Sequence, residues 1–420
     1  MAASSFPRSF VLTLATIGLA ARIAFGLGYW VNEMMTRDEI EYLSLARSLV
    51  AGQGYVYDEY VRTGPVEPFG RAPGYPVFLA LVGGGDPASA GRVPASVKIA
   101  QALVGAIGVA VIALAAFRMA GRAPARAAAA IAALFPPLVW IAGFGYSESV
   151  FWPIGIALGL IVSHTLEQPR AAIGRWAFVS GMATGGAVMF RAATSPFVGI
   201  LSVCLVWKRQ GRALAAFWLG LVLMLAPWTI RNYVHHGRLV VIASDGGVTF
   251  WTGNNPLATG EGDMAANPNL KFAQQDLRAN HSGLTEEQLE PVYYREAFGW
   301  IRAQPLDWAA LMVKKVFYLV VPVGPSYTLH SRRYYAATVV SLGVLLPLAA
   351  VGFWRLGPRR ARLTGMWLLA AAAVATCLVF FPQERFRIPV IDPALILGAS
   401  GVWVSGLRSG GKVPAAEAAA

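Results

Sequence analysis

Apolar and polar positions alternate along this chain in long blocks rather than at the short period of a soluble domain. The first block, SFVLTLATIGLAARIAFGLGYW, is long enough to cross a bilayer, and comparable runs follow. They fall near 10–31, 97–119, 127–145, 148–166, 176–192, 194–207, 213–230, 335–354, 364–381 and 389–407. A membrane-crossing helix needs about 20 mostly apolar residues, so the pattern predicts an all-α polytopic membrane protein of about ten spans, within a range of about 10–13. The first run is expected to be a retained span and not a cleaved leader. Arg22 interrupts it, its length suits a span, and further spans follow. Pro136-Pro137 is expected to kink the third span.

Between these blocks the pattern changes to helical amphipathicity. In TRDEIEYLSLARSLVAGQGY, Ile40, Leu43, Ala46 and Leu49 recur at helical spacing, with Leu45 and Val50 widening the stripe. Thr36 followed by Glu39 three residues on fits a capping box, and Gly52 suits the residue after the helix. A short helix should therefore lie on the membrane or bundle just past the first span. The stretch DWAALMVKKVFYLVVPVG, around 306–323, is apolar enough to be an eleventh span, but Lys314 and Lys315 would lie at a costly depth. It is expected to be an interfacial helix with its lysines turned toward protein or phosphate.

Composition agrees with the membrane reading. Of 420 residues 56% are hydrophobic and only 14% charged, where soluble domains carry about a quarter charged residues. The formal charge of +13 sits in short connections: Arg118, Arg122 and Arg126; Arg170 and Arg175; Lys208, Arg209 and Arg212; Arg355, Arg359, Arg360 and Arg362; Arg408 and Lys412. Ten spans place all of these, with both termini, on the cytoplasmic side. Basic residues scattered in this way read as topology and not as a nucleic-acid surface. The expected layout is one transmembrane domain over 1–407, with outer segments 32–96 and 231–334 and a disordered cytoplasmic tail over 408–420. In it Glu167 and Glu417 are the only cytoplasmic acids. Either the outer segments are simply the larger soluble regions, or the outer face holds the chemistry.

Candidate chemistry is sparse. Cys204 and Cys377 lie within spans, so a disulfide on the outer face is not expected. No HExxH, paired CxxC, Walker loop or dinucleotide fingerprint occurs, and His235-His236, the one close histidine pair, reads as interfacial. The adjacent acids Asp38 and Glu39 stand at the outer mouth of the first span and leave two readings open. They complement the helix dipole and close the cap, or Asp38 is a general base held ionised at the membrane surface. Glu148 and Arg191 lie at the outer ends of two spans and read as a structural ion pair or as substrate contacts, and Arg22 reads as a structural charge of the same kind. Tyr42 and Tyr75 read as interfacial packing, with sugar contact as the alternative.

The stretch TRDEIEYLSLARSLVAGQGY resembles the first-loop motif of the C-type glycosyltransferases, in the branch of the protein O-mannosyltransferases and the lipid A aminoarabinose transferases. FGRAPGYPVFLAL, GYSES, APWTIRNY, GGVTFWTGNNPLATGEG, EPVYYREAFGWIRAQPLDWAALMVKKV and ERFRIPVIDPALIL resemble further segments of the bacterial members, in the same order. Together they cover Thr36 to Leu397.

The resemblance implies transfer of a sugar from a polyprenyl-phosphate donor to a hydroxyl on an acceptor glycan, lipid or protein, at the periplasmic face of a bacterial inner membrane. Asp38 would be the base, Glu39 would orient it, and anomeric configuration would invert. Arg71, Arg385 and Arg387, with Lys314 or Lys315, would hold the lipid phosphate. A divalent metal held by Asp38, Glu39 or Glu67 is the open cofactor question. The aminoarabinose transferases carry an acid just before the basic residue of the second motif; here Gly70 stands there and Glu67 is the nearest acid. Two other classes compete: a transporter or flippase of lipid-linked sugars, and a non-catalytic assembly factor on the same fold.

Overall fold

The computed structural model describes residues 5–31, 35–58, 71–87, 91–237, 239–243, 245–324 and 331–404. Glu67, the tail 408–420 and the side chain of His236 lie outside the described residues. The helices are α1 (Arg8–Ile23), α2 (Arg37–Val50), α3 (Gly74–Leu81), α4 (Ala95–Ala120), α5 (Arg122–Leu134), α6 (Pro136–Trp140), α7 (Glu148–Glu167), α8 (Ile173–Phe190) and α9 (Pro196–Trp207). They continue as α10 (Gly211–His236), α11 (Gly246–Gly253), α12 (Pro268–Ala279), α13 (Glu286–Ala303), α14 (Pro305–Val320), α15 (Arg332–Leu356), α16 (Thr364–Val379), α17 (Glu384–Arg387) and α18 (Ile391–Ser400).

Each expected span coincides with a helix or a bent pair. Among the described residues five stretches are long and apolar enough to cross a membrane: Arg8–Tyr29, Ala95–Ala120, Glu148–Glu167, Gly211–His235 and Arg332–Val379. The last contains both α15 and α16, and α5 with α6 forms a sixth, bent by 60°. Helices α9 and α18 are shorter and apolar, and α8, which falls in neither group, packs against α7 and α10. Leu12, Val203 and Trp207 are 65%, 63% and 85% exposed, a surface that hydrocarbon covers and water would not tolerate. The core runs through Val109, Ile112, Phe151, Trp152 and Phe217, all buried. Helices α8 and α10 touch backbone to backbone. A Cβ on Gly181 would stand 2.0 Å from the Phe217 carbonyl oxygen, and one on Gly220 would stand 2.2 Å from that of Phe178. Only glycine permits so close a crossing, as in other membrane helix pairs.

The break between α5 and α6 has a chemical cause and a chemical remedy. Pro136 and Pro137 lack the N–H groups that would bond to the carbonyls of Ala132 and Ala133. Arg22, 1% exposed within α1, supplies the missing donors. Its Nη2 donates to Ala132 O at 3.1 Å, and its Nη1 to Ala133 O at 3.3 Å and Gly18 O at 2.9 Å. The expected ionic role for Arg22 is thus corrected: it caps a proline break with neutral acceptors. The bend carries the chain into Gly145, Tyr146 and Ser147, which flank the site.

The segments between spans hold the other helices. α2 and α3 pack through Leu43, Ala46, Tyr75 and Leu79. α11, α12 and α13 share a small core of Trp251, Leu270, Leu289, Tyr293 and Ala297. α14 buries Leu311, Lys315 and Leu319 on one side and leaves Lys314 exposed, the two-faced helix that the pattern predicts.

Candidate active site

Helix α2 begins with the capping box read from the sequence. The Thr36 hydroxyl faces the Glu39 N–H, while Glu39 Oε2 accepts from the Thr36 backbone N–H at 2.8 Å. A cap of this kind stabilises a helix start by about 0.5–2 kcal/mol. Glu39 Oε1 reaches further and accepts from the Gly145 N–H at 2.8 Å. Glu39, 3% exposed, therefore docks α2 onto the segment following the α5–α6 bend. Burial pushes its carboxyl above the ordinary value against these hydrogen bonds. Asp38, one residue earlier and about 100° around the helix, points elsewhere.

Asp38 lies between two guanidiniums. Oδ1 pairs with Arg71 Nη2 and Oδ2 with Arg385 Nη1. The three side chains are 20–29% exposed. Burial alone would raise the Asp38 carboxyl, but the charges of Arg385 and Arg71 outweigh it and hold the group well below the usual carboxylate range.

Arg71 stands just before α3, a helix whose start needs Gly74: a Cβ there would lie 2.6 Å from the Phe190 ring and 2.8 Å from its Cα. Tyr55 donates its hydroxyl to Arg71 O at 2.9 Å and packs edge-on against Trp228 of α10 at 4.9 Å. The Arg71 guanidinium lies 5.0 Å from the Tyr42 ring centre. It also donates to Glu41 Oε2 through Nε at 2.9 Å and Nη2 at 2.7 Å. Glu41 Oε1 accepts from Arg37 Nε at 2.8 Å. Sequence reasoning missed Glu41, although its spacing from Asp38 placed the two on one helix face.

Arg385 sits on α17. Its guanidinium lies 4.9 Å from the Tyr146 ring and 5.0 Å from that of Phe386, and Nε donates to Gln383 at 3.0 Å. Nearby, Arg191 Nη1 pairs with Glu148 Oε1 at 2.9 Å and donates to Ser147 at 3.1 Å. Tyr75, fully buried, donates to Gln101 at 2.7 Å and packs on Tyr42 at 4.9 Å.

Two expected phosphate ligands are placed otherwise. Arg387, two residues beyond Arg385, turns to the opposite side of its short helix and pairs with buried Asp392 at 3.0 Å. Lys315 is fully buried, and its Nζ donates to Asn254 Oδ1 at 3.1 Å and Leu378 O at 3.0 Å. Burial lowers its amine to about 7. It ties α14 to α16 and to the segment after α11. Lys314 is exposed on α14, beside Gly260. A further carboxyl not singled out in the sequence, Asp245 at the start of α11, is pushed up to about 6 by burial in spite of Arg71.

Of the three acids named as metal candidates, Asp38 and Glu39 are described and Glu67 is not. Among the described residues no three His, Cys, Asp or Glu side chains gather to hold a metal ion, and each oxygen of Asp38 already faces a guanidinium.

No family model matches the chain, and no curated protein matches it by sequence. Solved structures do. The oligosaccharyltransferase AglB from Archaeoglobus fulgidus, in complex with an inhibitory peptide and a dolichol-phosphate, aligns with a TM-score of 0.52 and 13% identity over 95% of this chain and 50% of that one. An Archaeoglobus fulgidus oligosaccharyltransferase in complex with Zn and sulfate aligns with a TM-score of 0.52 and 13% identity over 94% and 48%. ArnT from Cupriavidus metallidurans, bound to undecaprenyl phosphate, aligns with a TM-score of 0.41 and 14% identity over 94% and 78%. The chain thus spans about half the length of the oligosaccharyltransferases it matches. The chain shares its fold with these oligosaccharyltransferases, and its long apolar helices are those of an integral membrane protein.

Proposed function

We propose that the chain transfers a sugar from a polyprenyl-phosphate donor to an acceptor hydroxyl at the non-cytoplasmic face of a bacterial inner membrane. The observation that carries this reading is the clamp of Arg71 and Arg385 on Asp38, which sets a carboxylate and two guanidinium forks side by side. Its support is the fold shared with an oligosaccharyltransferase solved with a dolichol-phosphate, and the basic connections that put this end of the bundle outside.

In the reaction the acceptor oxygen attacks the anomeric carbon as its proton passes to Asp38. The bond from that carbon to the phosphate oxygen breaks, and the electron pair leaves with the polyprenyl phosphate. Arg71 and Arg385 stabilise the charge that develops on it, a task for which the planar fork of arginine is suited. Direct displacement inverts configuration. General-base help is worth about 10²–10⁴-fold. Tyr42 and Tyr146 lie against the Arg71 and Arg385 guanidiniums and help to hold them in place.

Purified protein incubated with a panel of polyprenyl-phosphate hexoses and pentoses, together with glycan, lipid and protein acceptors bearing free hydroxyls, tests this. Wild type should release polyprenyl phosphate, and Asp38→Asn should be slower by about 10²–10⁴-fold while retaining its thermal unfolding midpoint. Transfer by Asp38→Asn at the wild-type rate overturns the assignment. A wild-type protein that consumes no donor yet moves the intact lipid across vesicles is a transporter.

A further inference from the structure

The clamp contains a contradiction for a base. A carboxylate pressed between two guanidiniums is a weak proton acceptor, because its negative charge is already shared. The two arginines also have other supports, and these differ. Arg71 is held by Glu41 through two nitrogens at 2.7–2.9 Å, by the Tyr42 ring, and through its carbonyl by Tyr55. Arg385 is held by Gln383 and by the ring faces of Tyr146 and Phe386. Asp38 is the partner the two arginines share, and it can be removed without leaving either unsupported.

We infer that Asp38 keeps the place of the donor's phosphate on Arg71 and Arg385, and that donor binding hands both guanidiniums to the phosphate while Glu41 keeps Arg71 aimed at it. This rests on the transferase reading and adds order to it. Released from the arginines, Asp38 regains basicity at the moment a donor is present. Without a donor the base stays silent. Glu41 is a positioning residue: it acts through Arg71 and not on the sugar.

The two acids should then respond in opposite directions. Undecaprenyl phosphate serves as the probe, titrated into the purified full-length protein and followed by thermophoresis. Asp38→Asn removes the competitor and should bind the probe more tightly, by about 2- to 30-fold for two partly exposed ion pairs. Glu41→Gln loosens Arg71 and should bind it more weakly by several-fold. Simple charge repulsion predicts tighter binding for both variants, so tightening in Glu41→Gln overturns the inference. Should Glu41→Gln not fold, Glu41→Asp keeps the charge but shortens the reach, and it too should weaken binding. An inactive Asp38→Asn that binds no more tightly than wild type refutes the handover and leaves the transferase reading intact. Sugar transfer by Asp38→Asn at the wild-type rate removes Asp38 as the base, and a wild-type protein that consumes no donor removes the transferase reading itself.

Discussion

Replacing Arg22 by methionine tests how the bundle supports its site. The substitution keeps most of the side-chain volume and leaves the carbonyls of Ala132 and Ala133 facing the apolar core, with Pro136 and Pro137 unable to donate to them. Each buried acceptor left without a donor costs about 1–3 kcal/mol, so the pair sets a loss of about 2–6 kcal/mol. Relief from burying a guanidinium returns part of this. The assay is thermal unfolding of purified protein in detergent, run as a double-mutant cycle with Pro136→Ala/Pro137→Ala, which restores N–H groups at both positions. Arg22→Met should lower the midpoint by several degrees in the wild-type background and by less than half as much in the alanine background. Equal losses in both backgrounds would show that Arg22 acts through Trp152, whose ring lies 5.9 Å away, or through its own helix. The proline-capping account would then be wrong. Arg22→Lys should behave like methionine, since one ammonium cannot reproduce a fork that reaches two carbonyls.

Other outcomes follow from single contacts. Gly74→Ala places a methyl 2.8 Å from the Phe190 Cα, so α3 must shift and carry Arg71 with it. We expect a stability loss of about 1–3 kcal/mol and a larger fall in transfer rate than in expression, read from rate per folded molecule. Asp245→Asn tests the acid near Arg71. Its ordinary value of 3.8 rises to about 6 on folding, so folding favours the neutral form. The cost of ionising it is absent below pH 4, grows between pH 4 and 6, and is complete above 6. The variant should therefore be more stable at pH 7.5, by at most about 3 kcal/mol before solvent screening, with a higher unfolding midpoint there and an unchanged one at pH 4. A gain of equal size at both pH values removes ionisation as the cause.

The large features were legible because they depend on block pattern alone. Apolar runs located the helices, and Thr36 with Glu39 announced the cap that forms. Angular bookkeeping accounts for much of what was not. Asp38, Glu41 and Tyr42 share one face of α2 at spacings of three and four, and all three meet Arg71. Glu39, one position off that face, goes to the cap and to Gly145. Arg385 and Arg387 resemble one another in sequence, yet two residues on a helix face opposite ways. Lys314 and Lys315 divide similarly into one exposed and one buried. The pairing of Asp38 with Arg385 crosses nearly the whole chain, and no local period encodes it. The part played by Arg22 was hidden for another reason: its partners are backbone oxygens, which a sequence does not display.

The glycine crossing of α8 and α10 is linked to Arg71 through a chain of contacts. Backbones in contact at Gly181 and Gly220 cannot slide past one another. Trp228, Thr229 and Asn232 lace the following loop back onto α10 through the carbonyls of Ile242, Val241 and Val240. Trp228 also braces Tyr55, which grips the main chain of Arg71. Arg71 is thereby tied through Tyr55 and Trp228 to α10. Arg385 rides on a single four-residue turn between two separate helices. Under the handover proposed above, Arg385 is therefore expected to shift further than Arg71.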